Sequence, residues 1–339
     1  MPMTSLQSRL ASPRTRAAAA RAALAARGGE QRELFALARK ARDGAFPAMT
    51  AEVRSVIEVS NACRARCRFC NINALSPRKR YTLGREELAG IAARLYKERG
   101  RRVFLLQSGE NPAEKFITML CGAVADMKAA LPGISVIACL GSLPKAQYAR
   151  LKKAGVDRYI LKFETSDPRL YAAVKPGDTL ARRVRCLETL RGLGFGVGTG
   201  NIVGLPGQEP AGLLRDLLFF RRFSPEMASA SVFIPGEDSS FSGRGPGNLD
   251  TALNFMALLR VFYPRALIPS TSSLEKARPG AQLQGLLAGA NAVTVHDGTP
   301  EALKPVFPIY SVSRFTPEER FIKRIAAAAG LRPAAGPLA

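Results

Sequence analysis

Histidine is almost missing from this chain: His296 is the only one in 339 residues. A lone imidazole leaves a zinc site short of its usual partners. Long apolar runs are missing too. None approaches the roughly 18 residues of a membrane-spanning helix, so no membrane association is expected. The first residues carry no continuous apolar stretch like that of a secretory signal, and a cytoplasmic protein is the expectation. Residues 10–27 are rich in Ala and Arg and poor in acids. Transit peptides share that bias, but a solvated leading helix is the simpler reading. Acidic residues are outnumbered, 27 against 50 Lys and Arg, for a formal charge of +23. Such an excess points to an anionic partner. The basic residues are scattered over 14–21, 78–80, 99–102, 182–185 and 221–222. No nucleic-acid-binding motif accompanies them, so nucleic acid is not the expected partner. Six cysteines are present, but no secreted disulfide framework. Three of them sit in one tight cluster, which reads as a metal or cluster site in a reducing compartment.

From Val53 onward the chain has a rhythm: a short apolar run, a polar or Gly-rich loop, then an amphipathic helix. Strands are predicted at 53–60, 103–107, 134–139, 158–163, 195–201, 228–234, 266–269 and 291–295. Helices are predicted between them at 84–98, 113–130, 144–153, 180–193, 210–222, 250–262 and 275–288. Eight alternating units imply an α/β fold with a parallel sheet closed as a (β/α)8 TIM-type barrel, an open doubly wound sheet being the alternative. Residues 1–50 form a peripheral helical extension in this reading. Residues 51–339 form the barrel, with a last helix at 317–329 ended by Gly330.

Chemistry concentrates in Cys63-Arg64-Ala65-Arg66-Cys67-Arg68-Phe69-Cys70, directly after the first strand. Three thiolates hold a [4Fe–4S] cluster by three irons and leave the fourth iron open. Structural zinc wants a fourth ligand, and His296 is a distant one. Other loops after strands carry signals as well: Ser108-Gly109-Glu110, Glu164-Thr165 and Gly204-Leu205-Pro206-Gly207. In a barrel all of these share the catalytic rim. Each has a plainer reading. Glu164 would cap the next helix, Arg183 would be one more solvated cation, and 204–207 a turn.

The Cys63-x3-Cys67-x2-Cys70 pattern, with aromatic Phe69 before the last cysteine, resembles the signature of the radical S-adenosylmethionine (SAM) superfamily. From about 33 to 333 the chain resembles its biotin-synthase-like branch, and within it the [FeFe]-hydrogenase maturases and the methylornithine synthases of pyrrolysine biosynthesis. Ile57-Glu58-Val59-Ser60-Asn61, Leu106-Gln107-Ser108-Gly109-Glu110-Asn111-Pro112, Ile202-Val203-Gly204-Leu205-Pro206-Gly207-Gln208 and Ala288-Gly289-Ala290-Asn291 carry that resemblance. It implies that Cys63, Cys67 and Cys70 ligate one [4Fe–4S] cluster whose open iron is chelated by SAM. Ser108, Gly109 and Glu110 would meet the SAM amino group, and Glu164 its ribose or amino end. Arg183 would pair with its carboxylate, which suits a guanidinium fork. Gly204 and Leu205 would approach the adenine, with Phe69 packed on it. The implied activity is reduction of the cluster by a flavodoxin- or ferredoxin-type protein, then reductive cleavage of SAM. The resulting 5′-deoxyadenosyl radical would abstract hydrogen from a small amino-acid-like substrate. Such donors are commonly acidic, which gives the +23 charge a use.

Sulfur insertion of the biotin synthase kind is an alternative activity. It uses a second cluster, and the positions matching its cysteines are Phe104, Ile137 and Gly198, with its arginine replaced near Ile268. It is therefore disfavoured. Cys139 is expected to face inward with Ile137. Cys121 and Cys186 are expected to be small buried helix residues. By resemblance to methylornithine synthase, Ser229 and Ser273 stand where a charged pair grips an amino acid. Lys162 stands where maturases have a carboxylate-reading arginine, keeping the charge without the fork. Ser270, Thr271 and Ser273 offer hydroxyls, or form a polar turn. Tyr310 and His296 are weaker candidates. A reading from another class is a non-catalytic Fe–S or zinc protein that binds nucleic acid.

Overall fold

The computed structural model describes residues 5–307 and 315–338; Tyr310 lies outside them. Eight parallel strands carry the fold: β1 Thr50–Ser60, β2 Val103–Ser108, β3 Ser135–Cys139, β4 Arg158–Ile160, β5 Gly196–Val203, β6 Met227–Val232, β7 Pro269–Ser270 and β8 Ala292–Val295. Their order is β6-β5-β4-β3-β2-β1-β8-β7. Leu267 stitches the remaining seam: its N–H donates to Glu226 O (2.8 Å) and its carbonyl accepts from Ala228 N (3.1 Å). The sheet all but closes into the expected barrel. Strand β7 starts later than predicted because Leu267 serves this seam as an isolated bridge.

Period-two alternation decides which side chains fill the barrel. Val56, Val103, Leu105, Ile137, Met227 and Leu267 cluster inside. Ile57, Val59, Phe104, Leu106, Val136 and Ile268 pack in the outer core against the helices. Phe104 and Ile268, matched above to interior positions of biotin synthase, therefore face outward. A one-residue shift along a strand reverses the face, and the inward residues are Val103, Leu105 and Leu267.

Most helices fall where the amphipathic stretches predict them. The predicted helix at 275–288 is two, Ser272–Ala277 and Ala281–Leu287. Pro279 and Gly280 intervene, with Gly280 at φ 81°. A helix at Pro168–Val174 was not predicted. Its start signal is Asp167-Pro168: the Asp167 side chain caps the N–H groups of Arg169 and Leu170, and Pro168 occupies the first turn.

Three helices, Leu6–Ala11, Arg16–Ala25 and Gly28–Ala45, precede the barrel and pack onto its helices. Buried Arg42 donates to the carbonyls of Leu286 (3.0 Å) and Ala329 (3.2 Å). Asn254 Nδ2 donates to Ala26 O (2.9 Å). At the opposite end of the chain, β9 Arg332–Pro333 pairs with the start of β1. Leu338 then reaches the barrel floor, where its N–H donates to Glu52 Oε2 (2.8 Å). Glu52, Arg54 and Arg158 form a buried ion cluster there.

Candidate active site

The loop after β1 carries Cys63, Cys67 and Cys70 as free, half-buried thiols. Glu110 N donates to Cys63 Sγ across 3.3 Å, and Arg64 N donates back to Glu110 O across 2.9 Å. Gly109 permits this approach. A Cβ there would stand 2.4 Å from Ala62 O and 2.6 Å from Cys63 Cβ. Desolvation at sulfur pushes the Cys67 and Cys70 thiols above their ordinary value, while Lys175 draws them down. Among the described residues no three His, Cys, Asp or Glu converge on a single metal ion. Three soft sulfurs, with backbone N–H groups directed at Cys63 and Cys70, are a donor set that would fit an iron–sulfur group.

Glu110 ties this loop to two others. Its Oε2 accepts from Ser142 N (2.8 Å) and its Oε1 from Arg64 Nε (3.2 Å). Arg183 Nη2 lies 3.8 Å from Oε2. Arg183 is buried, so it is not a solvated cation. It donates from Nε to the Tyr171 hydroxyl (2.9 Å) and from Nη2 to Asp178 (3.2 Å). Burial opposes its charge, but Tyr171, Glu110 and Asp178 hold the guanidinium protonated. Buried Lys175 stands 3.9 Å from Asp178. Tyr171, on the short helix Pro168–Val174, and Lys175 and Asp178 just after it carry no motif of their own in the sequence. Ser108 shapes its own loop, its hydroxyl donating to Gly109 O (2.7 Å).

Glu164 does not cap the next helix; Asp167 does. Its backbone is left-handed at φ 64°, a strain that non-glycine residues hold at functional positions. Its Oε2 is buried with no hydrogen-bond partner, although Lys162 Nζ is 3.4 Å away. A buried carboxylate oxygen with one ion-pair neighbour and no hydrogen bond has room for a ligand's donor. Gly204, at φ 91°, lies where a Cβ would come within 2.4 Å of Gly247 Cα. The neighbouring chain already requires glycine there. Gln208 Oε1 accepts from Gly204 N (2.6 Å) and holds the turn. Leu205 packs in one apolar cluster with Phe69, Phe233 and Phe241.

A cavity of about 210 Å³ occupies the barrel. Val56, Leu105, Ile160 and Met227 form its apolar walls, and Phe69 reaches it from the cysteine loop. Lys162, Ser229, Thr271 and Ser273 line it as expected. Ser270 does not: its buried hydroxyl donates to Gln282 O (2.6 Å), away from the cavity. Thr271 and Ser273 share a hydroxyl–hydroxyl bond of 2.6 Å. His296 lines the cavity too, its Nδ1 3.2 Å from Glu58 Oε1. Cys139 faces the cavity, and burial pushes its thiol up to about 11. Cys121 and Cys186 are half-buried against the outer core. Arg54, Gln107 and Thr294 line the cavity without having been singled out.

Residues 57–219 match the model of the Radical SAM superfamily. Over 259 residues the chain is 34% identical to the [FeFe] hydrogenase maturase subunit HydE of Thermotoga maritima, covering 76% of this chain and 73% of that protein. The chain belongs to the radical SAM superfamily. This radical SAM protein is also 26% identical over 270 residues to 3-methylornithine synthase of Methanosarcina acetivorans, covering 78% and 74%. Its fold matches the crystal structure of methylornithine synthase (PylB) with a TM-score of 0.82 over 97% of each chain at 22% identity. Membership makes the chain an enzyme of a family that works with a [4Fe–4S] cluster and SAM, and it sets aside the non-catalytic reading. No helix among the described residues is long and apolar enough to cross a membrane.

Proposed function

We propose that this radical SAM enzyme holds one [4Fe–4S] cluster on Cys63, Cys67 and Cys70. SAM lies across the rim at Ser108, Gly109, Glu110, Glu164, Arg183, Gly204 and Leu205. The bound cluster and SAM together supply a 5′-deoxyadenosyl radical by one-electron reductive cleavage. The chain's part is to orient and to exclude water. Arg183, held charged by Asp178, pairs with the SAM carboxylate, and Glu164 Oε2 accepts from the ribose or amino end. Phe69 is the observation that carries the reading. It stands between Cys67 and Cys70, packs with Leu205, and lines the cavity. One side chain thus joins the cysteine loop, the expected adenine site and the expected substrate space.

The substrate in this reading is a small amino-acid-like molecule touched by Lys162, Ser229, Thr271 and Ser273, and the reaction is a rearrangement or bond cleavage. Sulfur insertion has little support, because Cys139 is the one cysteine lining the cavity among the described residues. The cytoplasmic reductant is an acidic flavodoxin or ferredoxin that docks on the cysteine loop. Arg64, Arg66 and Arg68 are exposed there. Leu75 is 71% exposed, and Ala74 N ties its segment to Ala65 O (2.8 Å). An apolar contact ringed by cations complements an acidic rim. Neither nucleic acid nor a membrane takes part. Side-chain-deuterated amino acids and their N-alkyl derivatives test the substrate class. Deuterium is expected in 5′-deoxyadenosine from at least one; exclusive transfer from a substrate without an amino-acid core contradicts the reading.

A further inference from the structure

We infer that the floor of the barrel cavity is a carboxylate-binding site centred on Arg54. The inference rests on the proposed function for the cavity being the substrate's. It adds the substrate's chemistry and its direction of entry.

Arg54 sits on β1 between Glu52 and Val56 and lines the cavity. It is 1% exposed. Its Nε donates to Glu52 Oε1 across 2.6 Å. Its Nη2 is buried with no hydrogen-bond partner. A buried charged donor without an acceptor carries its full desolvation cost. The nearby carboxylate is fully engaged. Glu52 accepts from Arg158 Nη1 on both oxygens, at 3.0 and 2.9 Å, and from Leu338 N on Oε2. Glu226 is taken up by Arg158 Nε at 2.9 Å. Val56, Leu105 and Met227 form the apolar wall above it, and the polar lining residues Gln107, Ser229 and Thr294 make no hydrogen bond to Nη2. A molecule entering the cavity can supply the acceptor that Nη2 lacks.

A carboxylate is the group that fits: it is planar, charged and matched to a guanidinium edge. Lys162 is the weaker anchor, because Glu164 Oε2 already lies 3.4 Å from its ammonium. A substrate held by Arg54 enters carboxylate first. Its far end then faces Phe69 and the cysteine loop, where hydrogen is abstracted. Glu52 and Arg158 act as positioning residues that hold the Arg54 fork.

The test uses the anaerobically reconstituted holoenzyme with SAM and no reductant, so turnover plays no part. Butyrate and butyramide are titrated calorimetrically as probes, and crystals are soaked in 3-bromopropanoate to place its bromine by anomalous scattering. The acid is expected to bind at least about tenfold more tightly than the amide, the difference made by one charge-assisted hydrogen bond. Arg54→Gln removes that preference and Lys162→Gln keeps it. Arg54→Lys, which leaves a cation beside Glu52, keeps part of it and covers the case in which Arg54→Gln fails to fold. The carboxylate is expected at Arg54 with bromine toward Phe69. Equal affinity for acid and amide overturns the inference, as does no binding of either. So does a preference that Lys162→Gln abolishes, or a carboxylate seated at Lys162. A protein that binds SAM and cleaves it yet shows any of these results retains its proposed function and loses only this site.

Discussion

The backbone N–H of Glu110 lies 3.3 Å from the sulfur of Cys63, joining the loop after β2 to the loop after β1. Gly109 makes that distance possible. Its own Cα approaches the Ala62–Cys63 backbone so closely that a Cβ would stand 2.4 Å from Ala62 O. Gly109→Ala is therefore expected to displace the Cys63 sulfur. Iron bound after reconstitution should fall from about four per chain, with a changed paramagnetic resonance spectrum of whatever cluster remains. An unchanged iron content and spectrum would mean that the Glu110–Cys63 contact does not shape the site.

Tyr171 orients Arg183 through a 2.9 Å hydrogen bond to Nε. Tyr171→Phe leaves that buried charged donor unpaired, a cost of about 1–3 kcal/mol. If Arg183 reads the SAM carboxylate, equilibrium SAM affinity should fall by about tenfold, equivalent to 1.4 kcal/mol, with cluster content unchanged. A stability loss with full SAM affinity would assign Tyr171 a purely structural role.

The floor cluster governs stability and its pH dependence. Burial alone would raise the Glu52 carboxyl, but Arg54 and Arg158 hold it below its ordinary 4.5. A depressed carboxylate contributes stability above 4.5 and loses it as pH falls through the folded value. Glu52→Gln strands two buried guanidiniums, so it is expected to cost about 3–5 kcal/mol at neutral pH. The gap from wild type should narrow as the solution is acidified below that ordinary value. Chemical denaturation across pH checks both, and a gap that stays constant with pH would contradict the assignment.

Arg66 and Arg68 are exposed within the cysteine loop. Arg66→Glu with Arg68→Glu is expected to slow cluster reduction by flavodoxin hydroquinone at least about tenfold at low salt, an effect that fades as salt rises. Reduction by dithionite, which needs no docking surface, should be unaffected. Equal loss with both reductants would point to damage at the cluster itself.

Much of this site is legible in sequence because barrel topology converts loop position into spatial position. Cys63, Glu110, Glu164 and Gly204 follow four different strands, and any closed parallel barrel brings those loops to one rim. Cys139 faces the cavity because strand alternation carries the inward face of Ile137 two residues on. The reading fails where a single residue of register decides. Phe104 and Ile268, at or near positions matched to the second-cluster residues of biotin synthase, face the helices, since apolar residues on both sides of a buried strand give no alternation to count. Ser270 was grouped with Thr271 and Ser273, yet its strand position turns the hydroxyl toward Gln282. The helix at Pro168–Val174 is too short for periodicity to reveal, and Tyr171 on it and Lys175 and Asp178 just after it carry no motif of their own. Arg54 is legible only in three dimensions, because its significance lies in Glu52 being already engaged.

Under the proposed function, Cys63, Cys67 and Cys70 hold a cluster that SAM completes. The direct measurement is 5′-deoxyadenosine and methionine formed by anaerobically reconstituted protein given dithionite and SAM. Both products are expected from the wild type and neither from Cys67→Ala, whose iron content should also collapse. An intact reducible [4Fe–4S] cluster with SAM bound and no 5′-deoxyadenosine formed, even with a range of small amino acids supplied, would contradict the account.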